Sequence, residues 1–448
     1  MKTALGVDIG TSKIALVILT KKRELLHTTS FATNAYKERR ETRAEQSTQQ
    51  LLTALTEGVR SLPADLRRDL CAVGITGQMH GVLLWQDPVA GSPTSPLYTW
   101  EDRRCAEAGF LDVLRRATGE HSVSPGFGLA TLAWLKQNDP GLLKQFSQAA
   151  TIQDYIAALL CELKEGITDP SDAASWGFFD VEKLIWREAA IRMLDLPTQL
   201  PRLLPMGSIA GKTKGSLVKG LGLPEGLPVF VPIGDNQASL YATILDPAKD
   251  LALTLGTGGQ ISVVLNSFPK NQTLPASVEI RPYFEGQYLA VATALCGGSA
   301  LRWLADSLKE ITADLGGACP AEPQLFALLD RLAQQNLDST LNITASFQGE
   351  RFDPQLRGSI SGIDLRNFTL GNLAAALGRG ILEGLKDRQP AEFLSRTERV
   401  VGSGNALQHL AFMRALVPVV FGKPLLLKAE REEAAIGAAL QALDRIPE

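Results

Sequence analysis

The sequence predicts an α/β protein of two similar domains facing each other across a cleft. Three observations carry that expectation. The opening 76 residues read strand, turn, strand, helix, strand, which is the α/β pattern. The opening device, an apolar run, a Gly-Thr turn and a second apolar run, returns after residue 250, as a duplicated architecture requires. The chain has 448 residues, enough for two or three domains with sizeable cores.

The elements follow in order. Ala4–Leu19 places two β-rich apolar runs around Gly10-Thr11-Ser12, predicting a hairpin with its tip at residues 8–13. Residues 48–62 have helical apolar spacing, with Ser47 as N-cap. Cys71–Thr76 reads as a buried strand ending at Gly77-Gln78-Met79-His80-Gly81. Residues 126–164 read mostly helical, and Pro224–Gly234 as a strand running into a turn. The chain restarts near 245–250, which sets the expected domains at 1–245 and 246–448. Leu251–Val264 repeats strand, Gly-Thr turn, strand; Val401–Asn405 leads into a helix; and Glu433–Leu440 is a helix whose small residues permit close packing.

Composition excludes several classes. Net charge is −3 with pI about 6.0, which gives no support to nucleic-acid binding by bulk charge. Mean hydropathy is +0.03, and no run approaches the ~20 apolar residues of a membrane span. Asp8 stands where a signal peptide would continue its apolar segment. The five cysteines are scattered without a C-x-x-C, as in a reduced cytoplasm and unlike a zinc site or disulfide framework. A cytoplasmic, multi-domain enzyme or nucleotide-driven switch is expected.

Gly10-Thr11-Ser12 and Gly256-Thr257-Gly258-Gly259 have the composition of anion-binding turns, in which backbone N–H groups converge and hydroxyls add donors. Asp8 beside the first turn suits Mg²⁺ held through water, and Lys13 adds charge at the tip. Ordinary hairpin turns are the plain alternative. Gly207–Thr213 looks like a Walker A loop but has three residues between its glycines where four are needed. A surface turn is expected there. Gly234-Asp235-Asn236-Gln237 places an acid and two amides between an apolar strand and a helix, where α/β domains bind ligands. Gln78, Met79 and His80 occupy a similar place, and Trp100-Glu101-Asp102-Arg103-Arg104 forms a third polar cluster. Such a set suits a polyhydroxylated substrate whose alcohol must lose a proton to a carboxylate. Spacing alone leaves the alternatives open: Asp235 as a helix cap, His80 and Trp100 as core, Asp102 and Arg104 as a solvated ion pair.

These motifs, with Gly402–Asn405 and Glu433–Leu440, occur in the order found in the FGGY carbohydrate kinases, and the resemblance covers essentially the whole chain. Ser171–Phe179 resembles the branch that phosphorylates sedoheptulose; Gly77–Gly81 also occurs in xylulokinase-like members. The resemblance implies two actin-like (ribonuclease H-like) ATPase domains flanking a hinged cleft. It implies transfer of the ATP γ-phosphoryl group to a primary hydroxyl of a ketose, sedoheptulose first, giving the 7-phosphate. A kinase of xylulose, ribulose or another polyol is the alternative, and a non-kinase actin-like ATPase the third reading. By position, Asp235 resembles the general base and, with Asp8 acting through water, the Mg²⁺ site. Thr11, Ser12 and Lys13 resemble the first phosphate loop, and Gly256, Thr257 and Gly258 the second. Gly298, Arg302, Gly402, Gly404 and Gln408 resemble the nucleoside pocket. Gln78, Met79, His80, Trp100, Asp102 and Asn236 resemble the sugar contacts. The expected partners are a ketose and ATP, without nucleic acid or membrane, and a homodimer is left open. The first turn is one residue shorter than usual in the family, Glu101 replaces a common Asn, and Asn236 stands at a variable position.

Overall fold

In the first strand, large apolar residues alternate with small ones, so both faces of its sheet need cover. The computed structural model describes residues 2–270, 272–428 and 432–446. Leu5, Val7 and Ile9 of β1 (Thr3–Ile9) share one apolar cluster with Ile14, Leu16 and Ile18 of β2 (Lys13–Thr20). Helix α1 (Thr48–Ser61) adds Leu51, Leu55 and Val59 to that cluster, and its N-cap Ser47 accepts from the Gln50 N–H at 3.2 Å. Helix α2 (Ile152–Cys161) adds Ile152, Tyr155 and Ile156. The other face carries Ala4, Ala15, Val17 and Leu19, covered by the C-terminal helix Glu433–Arg445. Small residues let that helix approach the sheet closely. A Cβ on Gly6 would stand 2.0 Å from the Ala435 carbonyl oxygen, and one on Gly74 1.9 Å from that of Ala438.

The chain forms two compact units. The first holds residues up to Ala242, with Pro282–Glu285 and the C-terminal helix. Its sheet adds β3 (Leu25–Ala32), β4 (Leu70–Gly77), β5 (Ile209–Lys212), β6 (Pro228–Phe230) and β7 (Ile233–Gly234). The strand order is β5-β6-β4-β1-β2-β3, and β7 also pairs with β4. Strands β1, β6 and β7 run parallel to β4, while β2 is antiparallel to both β1 and β3. Two further helices reach the site: α3 (Pro170–Ala174) and α4 (Asp235–Thr243).

The second unit runs Thr243–Arg281 and onward from Gly286. Its sheet comprises β8 (Asp250–Leu255), β9 (Gly259–Leu265), β10 (Val278–Pro282), β11 (Tyr288–Ala294), β12 (Arg399–Ser403) and β13 (Leu425–Leu427), in the order β10-β11-β9-β8-β12-β13. Helices α5 (Gly298–Asp314), α6 (Glu322–Gln334) and α7 (Asn405–His409) complete what the site needs. Strands β8, β9 and β11 form an antiparallel meander, and β12 lies parallel to β8. This is the plan of β1, β2, β3 and β4, and it is what a repeated opening device leads one to expect.

Three details differ from the sequence reading. The C-terminal helix packs with the first unit, although it follows the second in the chain. The Gly207–Thr213 segment is a turn leading into edge strand β5 and not a turn throughout, because Ile209–Lys212 pairs with Pro228–Phe230. The helical stretch 126–164 is interrupted by a short strand, Gln148–Ala150. Among the described residues, no helix is long and apolar enough to cross a membrane, and all five cysteines are free.

Candidate active site

In the first unit, sheet register assembles the polar groups. Ile9 on β1 pairs with Gly77 on β4, and Gly77 pairs with Gly234 on β7. Asp8, Gln78 and Asp235 therefore stand at neighbouring strand ends, the usual ligand position of a parallel sheet. The Gln78 N–H donates to the Ile9 carbonyl at 3.0 Å, locking the chain where it leaves β4. Asp235 opens α4, in the first turn of that helix. Burial, followed by the Asp235 carboxylate, pushes the Asp8 carboxyl up to about 7; Lys13 opposes the rise and Glu432 adds to it. The buried Asp8 Oδ1 has no hydrogen-bond partner.

Lys13 does not present a loose charge at the turn. Its Nζ lies 2.5 Å from Glu432 Oε2, just before the C-terminal helix. Glu432 escaped the sequence reading because 419 residues separate the pair. Its only signal is an acid placed before a helix. Ser12 is exposed at the tip, and Thr11 sits beneath it in a polar chain. Trp100 Nε1 donates to Thr11 Oγ1 at 2.9 Å, and Thr11 Oγ1 donates to Gln78 Oε1 at 3.4 Å. Gln78 Nε2 donates to Gln46 Oε1 at 2.9 Å, while Gln46 Nε2 donates to the Thr11 carbonyl at 2.6 Å. This circuit fixes the Gln78 amide and the indole. Trp100 is 43% exposed, so it presents an aromatic face of the kind sugars stack on.

Met79 is buried against Gly234, where a Cβ would stand 2.7 Å from its Sδ. His80 adopts a left-handed backbone (φ 72°) and stacks on Phe127, with ring centroids 4.7 Å apart. Asn236 is part-buried in the first turn of α4. Glu101, the residue in the place of an Asn, accepts from Tyr36 Oη at 2.5 Å and Arg39 Nη2 at 3.0 Å.

Asp102 departs from the expected sugar contact. It is fully buried, and its two oxygens take four hydrogen bonds. Oδ1 accepts from the Arg104 N–H (3.1 Å) and Nε (2.8 Å); Oδ2 accepts from Arg104 Nη2 (2.8 Å) and the Ala44 N–H (3.0 Å). The carboxylate and the bidentate guanidinium satisfy each other inside the protein, so the pair is not solvated either.

In the second unit a cavity of about 680 Å³ opens beside the β8–β9 turn, within the size range of small-molecule sites. Gly256, Thr257, Gly298 and Arg302 line it. The start of α5 is docked onto the turn: the Gly297 and Ser299 N–H groups donate to the Thr257 carbonyl at 3.0 Å, and the Gly298 N–H donates to that of Gly256 at 2.8 Å. Side chains are excluded from this approach, since a Cβ on Gly297 would stand 2.3 Å from the Gly258 oxygen. Arg302 is ion-paired with Glu322 at 2.6 Å.

Gly258, Gly402, Gly404 and Gln408 do not line the cavity. Gly402 is buried beneath Leu425 and Leu407, and Gly404 turns the chain (φ 91°) against Leu255. From the same short helix α7, Asn405 and His409 face the cavity in place of Gln408. Helix α6 contributes the wall that the motifs missed. Its Pro323, Phe326, Ala327, Asp330 and Arg331 line the cavity at i, i+3, i+4, i+7, i+8 spacing, while Leu325, Leu329 and Ala333 are buried on another face. That periodicity was available in the sequence; which face met a cavity was not.

Residues 3–242 match the N-terminal domain of the FGGY family of carbohydrate kinases, and residues 251–443 match its C-terminal domain. The chain is 33% identical to a sedoheptulokinase of Mus musculus, over 98% of this chain and 97% of that one. It is 34% identical to a sedoheptulokinase of Homo sapiens, over 90% and 86%. A solved xylulose kinase from Rhodospirillum rubrum shares the fold with a TM-score of 0.82 and 23% identity, covering 98% of this chain and 90% of that one.

Proposed function

From the premise that the chain belongs to the FGGY family of carbohydrate kinases, and so phosphorylates a sugar at the expense of ATP, we propose that its acceptor is sedoheptulose, phosphorylated at the primary hydroxyl in the cytoplasm. The near full-length similarity to two proteins named sedoheptulokinase supports that sugar. The observation that carries the site assignment is the strand register that sets Asp8, Gln78 and Asp235 side by side.

In this reading Asp235, held at the start of α4, accepts the proton of the attacking hydroxyl. The fixed Gln78 amide and the exposed face of Trp100 orient the sugar. Exposed Thr257 and the neighbouring cavity receive the nucleotide. In phosphoryl transfer, positioning and electrostatics do most of the work. Mg²⁺ fits the first turn, because Asp8 offers a buried oxygen without a hydrogen-bond partner beside a second carboxylate, Asp235, and a cation would compensate the two acids. Asp8, through water, and Asp235 would hold it. The ion would neutralise charge on the transferred phosphoryl group.

A ketose panel with coupled ADP detection tests the substrate. Sedoheptulose is expected to give the highest kcat/KM, with one ADP released per sugar phosphate formed. Preference for xylulose or ribulose would transfer the assignment to those sugars. Rapid ADP release without sugar would contradict the proposed coupling.

A further inference from the structure

Two serines four residues apart, at either end of the short helix α3, make the same unusual contact. Ser171 Oγ donates to Asp169 Oδ1 at 2.7 Å, so its lone pairs face outward, and one accepts the Gly234 N–H at 2.9 Å. Gly234 is the residue immediately before Asp235. Ser175 Oγ donates to the Asp172 carbonyl at 2.7 Å and accepts the His80 N–H at 3.0 Å. Each hydroxyl is thus polarised by its own segment and grips the backbone at the end of a different strand.

The second grip has an additional point of contact. His80 Nδ1 lies 2.7 Å from the Ser175 carbonyl oxygen. A carbonyl only accepts, so Nδ1 carries a proton and donates to it. With Phe127 stacked on the ring and the backbone held left-handed, Ser175 fixes the orientation of the imidazole. Next in sequence, Trp176 Nε1 donates to the Gly81 carbonyl at 3.1 Å, bracing the far side of the same turn. The anchor beneath Ser171 is equally firm. Asp169 is fully buried, and its Oδ1 also accepts the Ser171 and Asp172 N–H groups, each at 3.0 Å.

We propose that Ser171 and Ser175 are positioning residues: a two-point brace in which Ser171 aligns the base, Asp235, and Ser175 orients the His80 ring toward the sugar. The proposal rests on the assignment of Asp235 as base and His80 as sugar contact. Both serines are buried, and their hydroxyls are engaged within the protein. Their influence is on geometry, where small misplacements of a reacting group are costly.

The test is a split between kinetic constants. Ser171→Ala is expected to lower kcat about tenfold with the ketose KM within about twofold. Ser175→Ala is expected to raise the ketose KM about tenfold with kcat within about twofold. Both should leave the ATP KM unchanged, and amide hydrogen exchange should quicken at 234–236 in the first variant and at 78–81 in the second. Should Ser171→Ala fail to fold, Ser175→Ala and its exchange pattern still decide, since its hydroxyl lies at the end of α3. If kcat and both KM values move together, in step with a fall in melting temperature, the serines are merely structural and the brace is overturned. Two controls separate that from failure of the underlying reading. Near-parental turnover in Asp235→Asn, or an unchanged ketose KM in His80→Ala, overturns the site assignment itself and the brace with it.

Discussion

The turn at Gly10–Ser12 and the turn at Gly256–Gly258 occupy the same station of the same sheet plan, and their chemistry diverges at one position. Two residues before each Gly-Thr, the first strand carries Asp8, paired with Thr76 on β4. The second carries Thr254, paired with Ser403 on β12, with the two hydroxyls 3.1 Å apart. Around Asp8 gather Asp235, Glu432 and Lys13. Around the second turn the docked end of α5 and the wall of α6 make a cavity lined by Phe326, Arg302 and Arg331. A shared backbone plan supplies the bend, and the side chains set on it make the first turn acidic and leave the second neutral.

The contrast can be broken experimentally, and the largest effect is expected at the acidic turn. Asp235→Asn should lower kcat by about 10²–10⁴-fold while sugar and ATP still bind; a loss under tenfold removes the base from position 235. Asp8→Asn should raise the Mg²⁺ concentration needed for half-maximal activity about tenfold or more, through loss of a carboxylate suited to that ion.

Asp8→Asn should also change the pH dependence of stability. The Asp8 carboxyl stands at about 7 in the folded protein against an ordinary 3.8. The stability linked to holding this proton is fully present below the ordinary value and is lost as pH rises through about 7. The melting temperature of the variant relative to the parent should therefore climb between about pH 4 and pH 7. A flat difference across that range would mean that Asp8 is ionised throughout.

At the neutral turn smaller effects are expected. Gly298→Ala, whose Cβ would stand 2.6 Å from the Gly256 oxygen, should lift α5 off the turn and raise the ATP KM about tenfold, leaving the ketose KM alone. Thr254→Val should change kcat by about twofold or less, since it removes a neutral hydroxyl contact. If Thr254→Val matched Asp8→Asn in its Mg²⁺ requirement, the two turns would be chemically equivalent and the contrast would fail.

Much of this was legible in the sequence, and for identifiable reasons. Alternating apolar residues around Gly10–Ser12 and Gly256–Gly258 are local signals, and both hairpins formed where they pointed. The strand ends at Gly77 and Gly234 were equally readable, which brought Gln78 and Asp235 into view. What stayed hidden depended on through-space neighbours. The Asp102–Arg104 pair reads like a surface pair, yet the fold buries it. Lys13 looks available until Glu432 arrives from the far end of the chain. Gln408 and His409 are adjacent, yet only His409 faces the cavity, a matter of helix rotation that no short motif encodes. The Ser171–Ser175 contacts were invisible for the same reason: a serine's partners are set by what packs against it.

The seating of residues 433–445 against Gly6 and Gly74 has a consequence for biosynthesis. Strand β1 leaves the ribosome ahead of the second unit, but the helix that seals one of its faces is made only after that unit has been translated. Until then Val17, Leu19 and Phe230 lack that apolar cover, so the nascent N-terminal half carries a sticky surface of the kind that recruits chaperones. A fragment cut near residue 245 should therefore aggregate when expressed alone, and supplying the 433–445 helix in trans should restore it to the supernatant.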